Sequence, residues 1–267
     1  MDENRRERLR TTFTEDAELY DRARPGYPAA LYAELARSAG LGPGCRVLEI
    51  GCGTGKATVP LAAAGALVTA VELGPEMAAV AERNLAPYPA AEVRVGAFEA
   101  WPLPAEPFDL VLAATAFHWI DPAVRVVKAA RALRPGGALA VFGTHHVRGG
   151  DVDFFTETYP IYDRFDPDTP PPDRLMTPGG EIPAATAELT AAGLFGPPAV
   201  HRWEWDCSYS TRAYLDVLLT YSNHRALPDR AREGLLTAIA ELIDTRYGGR
   251  VTKRYMTELT LAERLAG

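Results

Sequence analysis

The sequence predicts an α/β fold, doubly wound about a mostly parallel seven-stranded sheet. Short β-branched and leucine-rich runs alternate with helix-forming stretches of about ten residues, the rhythm of βαβ units. A glycine-rich turn, Gly51-Cys52-Gly53-Thr54-Gly55, follows the first such run at once. A chain of 267 residues that is 47% hydrophobic and 24% charged also has ample apolar surface for a buried core.

Two prolines and a glycine in Tyr20-Asp21-Arg22-Ala23-Arg24-Pro25-Gly26-Tyr27-Pro28 stop any helix there. Residues 29–38 place Leu31 and Leu35 at helical spacing, and Gly40 ends that helix. Residues 45–50 read as the first strand, and 57–64 as a helix closed by Gly65. Residues 67–71 form the second strand, and Pro75 opens a helix to about residue 85. Strands over 92–95 and 108–114 follow, then a helix over 122–133. A fifth strand over 138–143 comes after the Pro135-Gly136-Gly137 turn.

Beyond Gly143 the rhythm breaks. Residues 145–183 carry Phe154, Phe155, Tyr159, Tyr162 and Phe165 among many prolines, and they read as an ordered aromatic lid. Helices are expected over 184–192, 211–221 and 228–247, and strands over 200–206 and 251–261. The division that follows has three parts. Residues 1–144 form an N-terminal cap and ligand-binding core, and 145–198 an insertion with a helix. Residues 199–267 supply the last strands, with a helical insertion at about 207–250.

Composition narrows the function. A formal charge of −7 argues against a nucleic-acid-binding face, and no apolar run reaches the length of a membrane span. The charged opening Met1-Asp2-Glu3-Asn4-Arg5-Arg6 is not a signal peptide. Three cysteines without C-x-x-C spacing, and no H-E-x-x-H, point to a reduced cytoplasmic protein with no structural metal.

The glycine turn carries the chemistry. Glycines let a ligand approach the backbone, and the following helix presents free N–H groups. Ligands of such sheets sit at the carboxyl ends of the strands. The second strand ends in Glu72, 19 positions after Gly53, where a carboxylate can grip ribose hydroxyls. A dinucleotide fingerprint G-x-G-x-x-G fails because residue 56 is Lys56, which counts against the alternative of a nicotinamide-dependent oxidoreductase. No Walker loop is present.

Glu49, Gly51, Gly53 and Gly55 give E-x-G-x-G-x-G, which resembles the class I S-adenosylmethionine-dependent methyltransferases. Phe108-Asp109-Leu110-Val111 and Arg131-Ala132-Leu133-Arg134-Pro135-Gly136-Gly137 are similar to that family's fourth strand and its turn into the fifth. Tyr20, Asp21, Arg24, Pro25, Tyr27 and Pro28, with His118, Trp119 and Asp121, resemble the small-molecule subfamily similar to trans-aconitate methyltransferase. The resemblance implies a Rossmann-like fold whose sixth strand is parallel to the first five and whose seventh is antiparallel.

It implies S-adenosylmethionine as cofactor, held by Tyr20, Arg24, Glu49, Gly51, Gly53, Gly55, Glu72, Leu73, Ala97, Phe98 and Ala114, with S-adenosylhomocysteine as product. Many members carry an aspartate where this chain has Ala97. His118 is the candidate general base, since an imidazole pKa near 6.5 suits that role. Trp119, His145, His146, Tyr159 and Tyr221 are candidates for the acceptor pocket, with both histidines expected just past the fifth strand. The expected activity is O- or N-methylation of a small molecule, a carboxylate or hydroxyl, by a monomer or homodimer. A protein that binds the cofactor without transferring methyl is the alternative from another class. Lys56 is expected to be solvent-exposed.

Overall fold

The computed structural model describes residues 16–167 and 177–266. The opening Met1 to Arg6, named above, and residues 168–176 of the 145–183 stretch lie outside those residues. Seven strands form one sheet in the order β3-β2-β1-β4-β5-β7-β6. They are β1 Arg46–Ile50, β2 Leu67–Glu72, β3 Ala91–Val95, β4 Phe108–Ala114, β5 Leu133–Gly150, β6 Ala199–Ser210 and β7 Arg250–Glu263. The β1–β2, β1–β4, β2–β3 and β4–β5 pairs are parallel, and β7 runs antiparallel to both β5 and β6.

Helices α1 Ala17–Ala23, α2 Ala29–Ala39, α3 Thr58–Ala63, α4 Pro75–Leu85 and α5 Pro122–Ala132 accompany the first half. Alternate residues of each strand face opposite ways. Val47, Leu110, Leu112 and Phe142 therefore pack with Leu31, Leu35 and Leu61 on one face. Leu48, Ile50, Val111 and Leu139 pack with Val126, Ala129 and Ala130 on the other. Burial on both faces explains why β1 and β4 are continuous apolar runs.

The second half departs from the sequence reading in four places. β5 does not stop at residue 143. β7 is long enough to keep pairing with it to Gly150, so His145 and His146 are strand residues opposite Met256 and Tyr255. The boundary drawn at 144/145 thus falls inside a strand. Residues 145–183 are also no single lid over the sheet edge. They include α6 Val152–Glu157 and α7 Tyr159–Phe165, whose Phe154, Phe155 and Phe165 join a separate apolar layer. The next helix, α8 Ala187–Ala192, begins three residues late and ends at Gly193.

Finally, the helix expected over 211–221 breaks. α9 Thr211–Leu219 ends at Thr220, Tyr221 is extended with φ −84° and ψ 131°, and α10 Ser222–Arg225 restarts the turn. The long α11 Asp229–Arg246 then returns the chain to β7 through Gly248 and Gly249. Leu235, Ile239 and Ile243 on α11 are fully buried against Phe154, Val217 and Val251. Because β6 ends and β7 begins at one edge, α9 to α11 lie on the same side of the sheet as the glycine turn.

Candidate functional site

A cavity of ≈ 310 Å³ opens along the carboxyl ends of β2, β1, β4 and β5 and the amino-terminal half of β7, within the usual range of ligand sites. At its β1–β2 end the turn after β1 is folded tightly. Gly51 has φ +68°, and a Cβ there would meet Ala116 Cβ at 2.7 Å, so no other residue fits. The Gly53 amide donates to Glu72 Oε2 at 2.8 Å, and the Gly74 amide donates to Glu72 Oε1 at 2.9 Å. This carboxylate is therefore held on the cavity wall in one orientation. Leu73, Gly96 and Phe98 continue that wall.

Glu49 is the unusual group. It is fully buried, lines the cavity, and neither carboxyl oxygen has a hydrogen-bond partner. Burial pushes its pKa up to about 8, because a buried carboxylate loses its hydration. Thr54 Oγ1 and Arg24 Nε are likewise buried and unpartnered on the same cavity. Orphaned buried polar groups of this kind call for a polar ligand.

The N-terminal segment closes one side. The Asp16 carboxylate caps α1 by accepting from the Leu19 amide at 2.8 Å. Arg24 Nη2 donates to the Thr220 carbonyl at 3.2 Å, and its guanidinium sits 4.2 Å from the Tyr221 ring centroid. Tyr27 packs edge-on against Phe142, and its hydroxyl lies 3.0 Å from Thr115 Oγ1. Thr115 holds φ +55°, the one positive φ outside glycine among the described residues. For a β-branched residue this is strained, and strain of this kind gathers at functional sites. Lys56 is not the exposed residue expected. Its ammonium donates to the Asp21 carbonyl at 2.6 Å, tying α1 to the start of α3.

Toward β4, β5 and β7 the lining changes to Ala114, Thr115, His118, Trp119, Thr144, His146, Tyr221 and Tyr255. The His118 and Trp119 rings meet at a tilt of 46°, 4.6 Å centroid to centroid. Partial burial and then the Arg125 guanidinium lower the His118 pKa, leaving its imidazole neutral at pH 7. Tyr221 Oη lies 3.2 Å from His146 Nε2. Behind it Lys253 is 2% exposed, with its ammonium 5.5 Å from the Tyr221 and Tyr255 rings.

Thirteen sequence-derived candidates meet here: Tyr20, Arg24, Glu49, Gly51, Gly53, Glu72, Leu73, Phe98, Ala114, His118, Trp119, His146 and Tyr221. Gly55, Ala97, His145 and Tyr159 do not line the cavity. Gly55 has φ +88°, so that glycine serves the turn itself, while a Cβ there would meet Ala81 at an ordinary contact distance of 3.5 Å. The Ala97 carbonyl caps the following turn by accepting from Ala100 and Trp101. His145 alternates with His146 to the opposite face of β5, and Tyr159 lies on α7 in the outer layer. Lys253 and Tyr255 are site residues that the motifs of the sequence do not reveal. Their signal was a lysine at a core position, since Val251, Lys253 and Tyr255 share the buried face of β7.

Residues 48–141 match a family described as a methyltransferase domain. The chain is 34% identical over 227 residues to the uncharacterized methyltransferase Rv3342 of Mycobacterium tuberculosis, covering 85% of this chain and 83% of that protein. It is 41% identical over 103 residues to a ubiquinone biosynthesis O-methyltransferase of Xylella fastidiosa, covering 37% of this chain and 41% of that one. Among solved structures, a putative type II methyltransferase from Anaeromyxobacter dehalogenans superposes with TM-score 0.63 at 24% identity, over 91% of this chain and 99% of that one. A phosphoethanolamine N-methyltransferase of Haemonchus contortus, solved with S-adenosylmethionine, gives TM-score 0.54 at 19% identity, over 98% of this chain and 60% of that one.

Proposed function

This chain belongs to the methyltransferase family of its mycobacterial relatives, and we propose that it methylates a small molecule with S-adenosylmethionine as donor. One observation carries the reading: a single cavity joins the glycine-turn end, with Glu49 and Glu72, to the end lined by His146 and Tyr221. The residues present fit the cofactor. The unpartnered Glu49 carboxyl suits its cationic groups, and the unpartnered Arg24 Nε suits its carboxylate. Glu72, fixed by two amides, suits the ribose hydroxyls.

When bound, the cofactor supplies a methyl group on a sulfonium, already activated for in-line displacement. The chain's own task is alignment and exclusion of water. Tyr20, Arg24 and Tyr27 from the N-terminal segment and Tyr221 from the α9–α10 corner enclose the reacting end. The acceptor lies between Trp119, His118, His146 and Tyr221, a wall that suits a hydroxyl or carboxylate to be O-methylated. No helix of the described residues is long and apolar enough to cross a membrane. A cytoplasmic setting is part of the proposal, since Cys45, Cys52 and Cys207 have no C-x-x-C spacing.

The test is to incubate the protein and S-adenosylmethionine with the small-molecule fraction of a cell extract. S-adenosylhomocysteine should accumulate together with one metabolite that is a methyl group heavier. Binding of the donor with no turnover in any such fraction would leave a binding protein and refute the transferase reading.

A further inference from the structure

We propose that Tyr221 is the base that takes the proton from a hydroxyl-bearing acceptor, held ready as a phenolate by Lys253. This rests on the methyltransferase reading above. The geometry is that of a buried charge without a carboxylate. Lys253 is buried to 2% exposure among Phe155, Tyr221 and Tyr255. Burial first disfavours its charge and lowers its pKa, Tyr221 acts the other way and favours the ammonium, and Arg24, a second cation, opposes it. An ammonium taken out of water needs an anion beside it; among the described residues the acidic groups beside it are the Tyr221 and Tyr255 phenols, and the Tyr255 hydroxyl is already bonded to Tyr209 Oη at 2.9 Å.

Tyr221 also faces the cavity, at its β4–β5–β7 end. The break between α9 and α10 puts it there, its extended backbone turning the ring toward His146 and Arg24. Burial alone would raise its pKa, yet Lys253 and then Arg24 outweigh burial and lower it. The other phenols packed around it, Tyr20, Tyr162, Tyr209, Tyr214 and Tyr255, are pushed up by burial. His146 and His224 face it as neutral imidazoles, both lowered by burial and by the same two cations. His146 then donates or accepts at Tyr221 Oη without adding charge.

The step balances as follows. As the acceptor's oxygen forms its bond to the methyl carbon, its proton passes to Tyr221 Oη. The carbon–sulfur bond breaks with its electron pair on sulfur, giving a methyl ether and a neutral thioether. The proton on Tyr221 leaves to solvent when the cavity reopens, restoring the phenolate. The assignment selects alcohols and phenols over carboxylic acids, which arrive already ionised and need no base.

The experiment reads the ultraviolet band of tyrosinate against pH in the protein alone, in Tyr221→Phe and in Lys253→Met. One tyrosine should ionise below the usual value of 10. That transition should vanish in Tyr221→Phe and move up in Lys253→Met. Calorimetric titration of the same proteins with S-adenosylhomocysteine should still give saturable binding, which also shows that the variants fold. With simple phenols and hydroxy acids as probes, Tyr221→Phe should lose about a hundredfold or more in kcat, and His118→Gln should lose less. The proposal is overturned if no tyrosine ionises early, if the early transition survives Tyr221→Phe, or if His118→Gln alone abolishes turnover. An early tyrosinate in a protein that binds no S-adenosylhomocysteine would overturn both the proposal and the methyltransferase reading. Binding without an early tyrosinate would overturn the proposal only.

Discussion

Glu72 is held by two backbone amides, so its carboxylate meets a ligand without first being ordered. Its removal should act on binding rather than on folding. Hydrogen bonds to a charged group contribute about 1.5–3 kcal/mol, so Glu72→Ala should weaken S-adenosylhomocysteine binding roughly ten- to hundredfold. Calorimetry checks this, and an effect below about twofold would move the ribose contact elsewhere. Glu49 makes the opposite kind of prediction. Its folded pKa is about 8 against an ordinary 4.5, so between those values the folded protein keeps a proton that the unfolded chain has lost. Stability of the ligand-free protein should therefore fall as pH rises through that window. Glu49→Gln should flatten the profile, which urea unfolding at a series of pH values measures. Both carboxylates were legible because strand, turn and carboxylate follow one another along the chain. Lys253 was not, since its role comes from Arg24, just after α1, and Tyr221 at the α9–α10 corner, far away in sequence.

Element boundaries were legible wherever a local stop sets them. Gly40 in the left-handed region ends α2, and the Asp121 carboxylate caps α5 by accepting from the Ala123 amide. β4 was read over its observed span because both its ends are turns. β5 was not, because its extension to Gly150 depends on pairing with β7 more than a hundred residues later. The same limit governs the aromatic insert. Its side chains pointed to burial, but only the fold shows that they pack against α11 and β7 rather than over the cavity. This separates two kinds of segment by an exchange experiment. Adding S-adenosylhomocysteine should raise hydrogen-exchange protection over residues 17–28 and 219–225, which reach the cavity. It should leave residues 152–165 nearly unchanged. Protection confined to residues 49–56 and 72–77 would mean that the N-terminal segment and the α9–α10 corner do not close.

For the whole molecule, the strand order decides where chemistry can occur. With β1 and β4 central and β7 returning antiparallel, the carboxyl edge collects the glycine turn, the N-terminal segment and the α9–α11 arm. The parallel half of this topology was legible from the alternation of strands and helices. The antiparallel β7 was expected through family resemblance, because an edge pairing leaves little periodic trace in one sequence. The central claim is that the β1–β2 end of the cavity holds S-adenosylmethionine. Its most direct test is calorimetric titration of the unaltered protein with S-adenosylmethionine and, separately, with nicotinamide dinucleotides. One S-adenosylmethionine site per chain is expected, with no heat from the dinucleotides. Saturable dinucleotide binding, or no binding of S-adenosylmethionine, would contradict it.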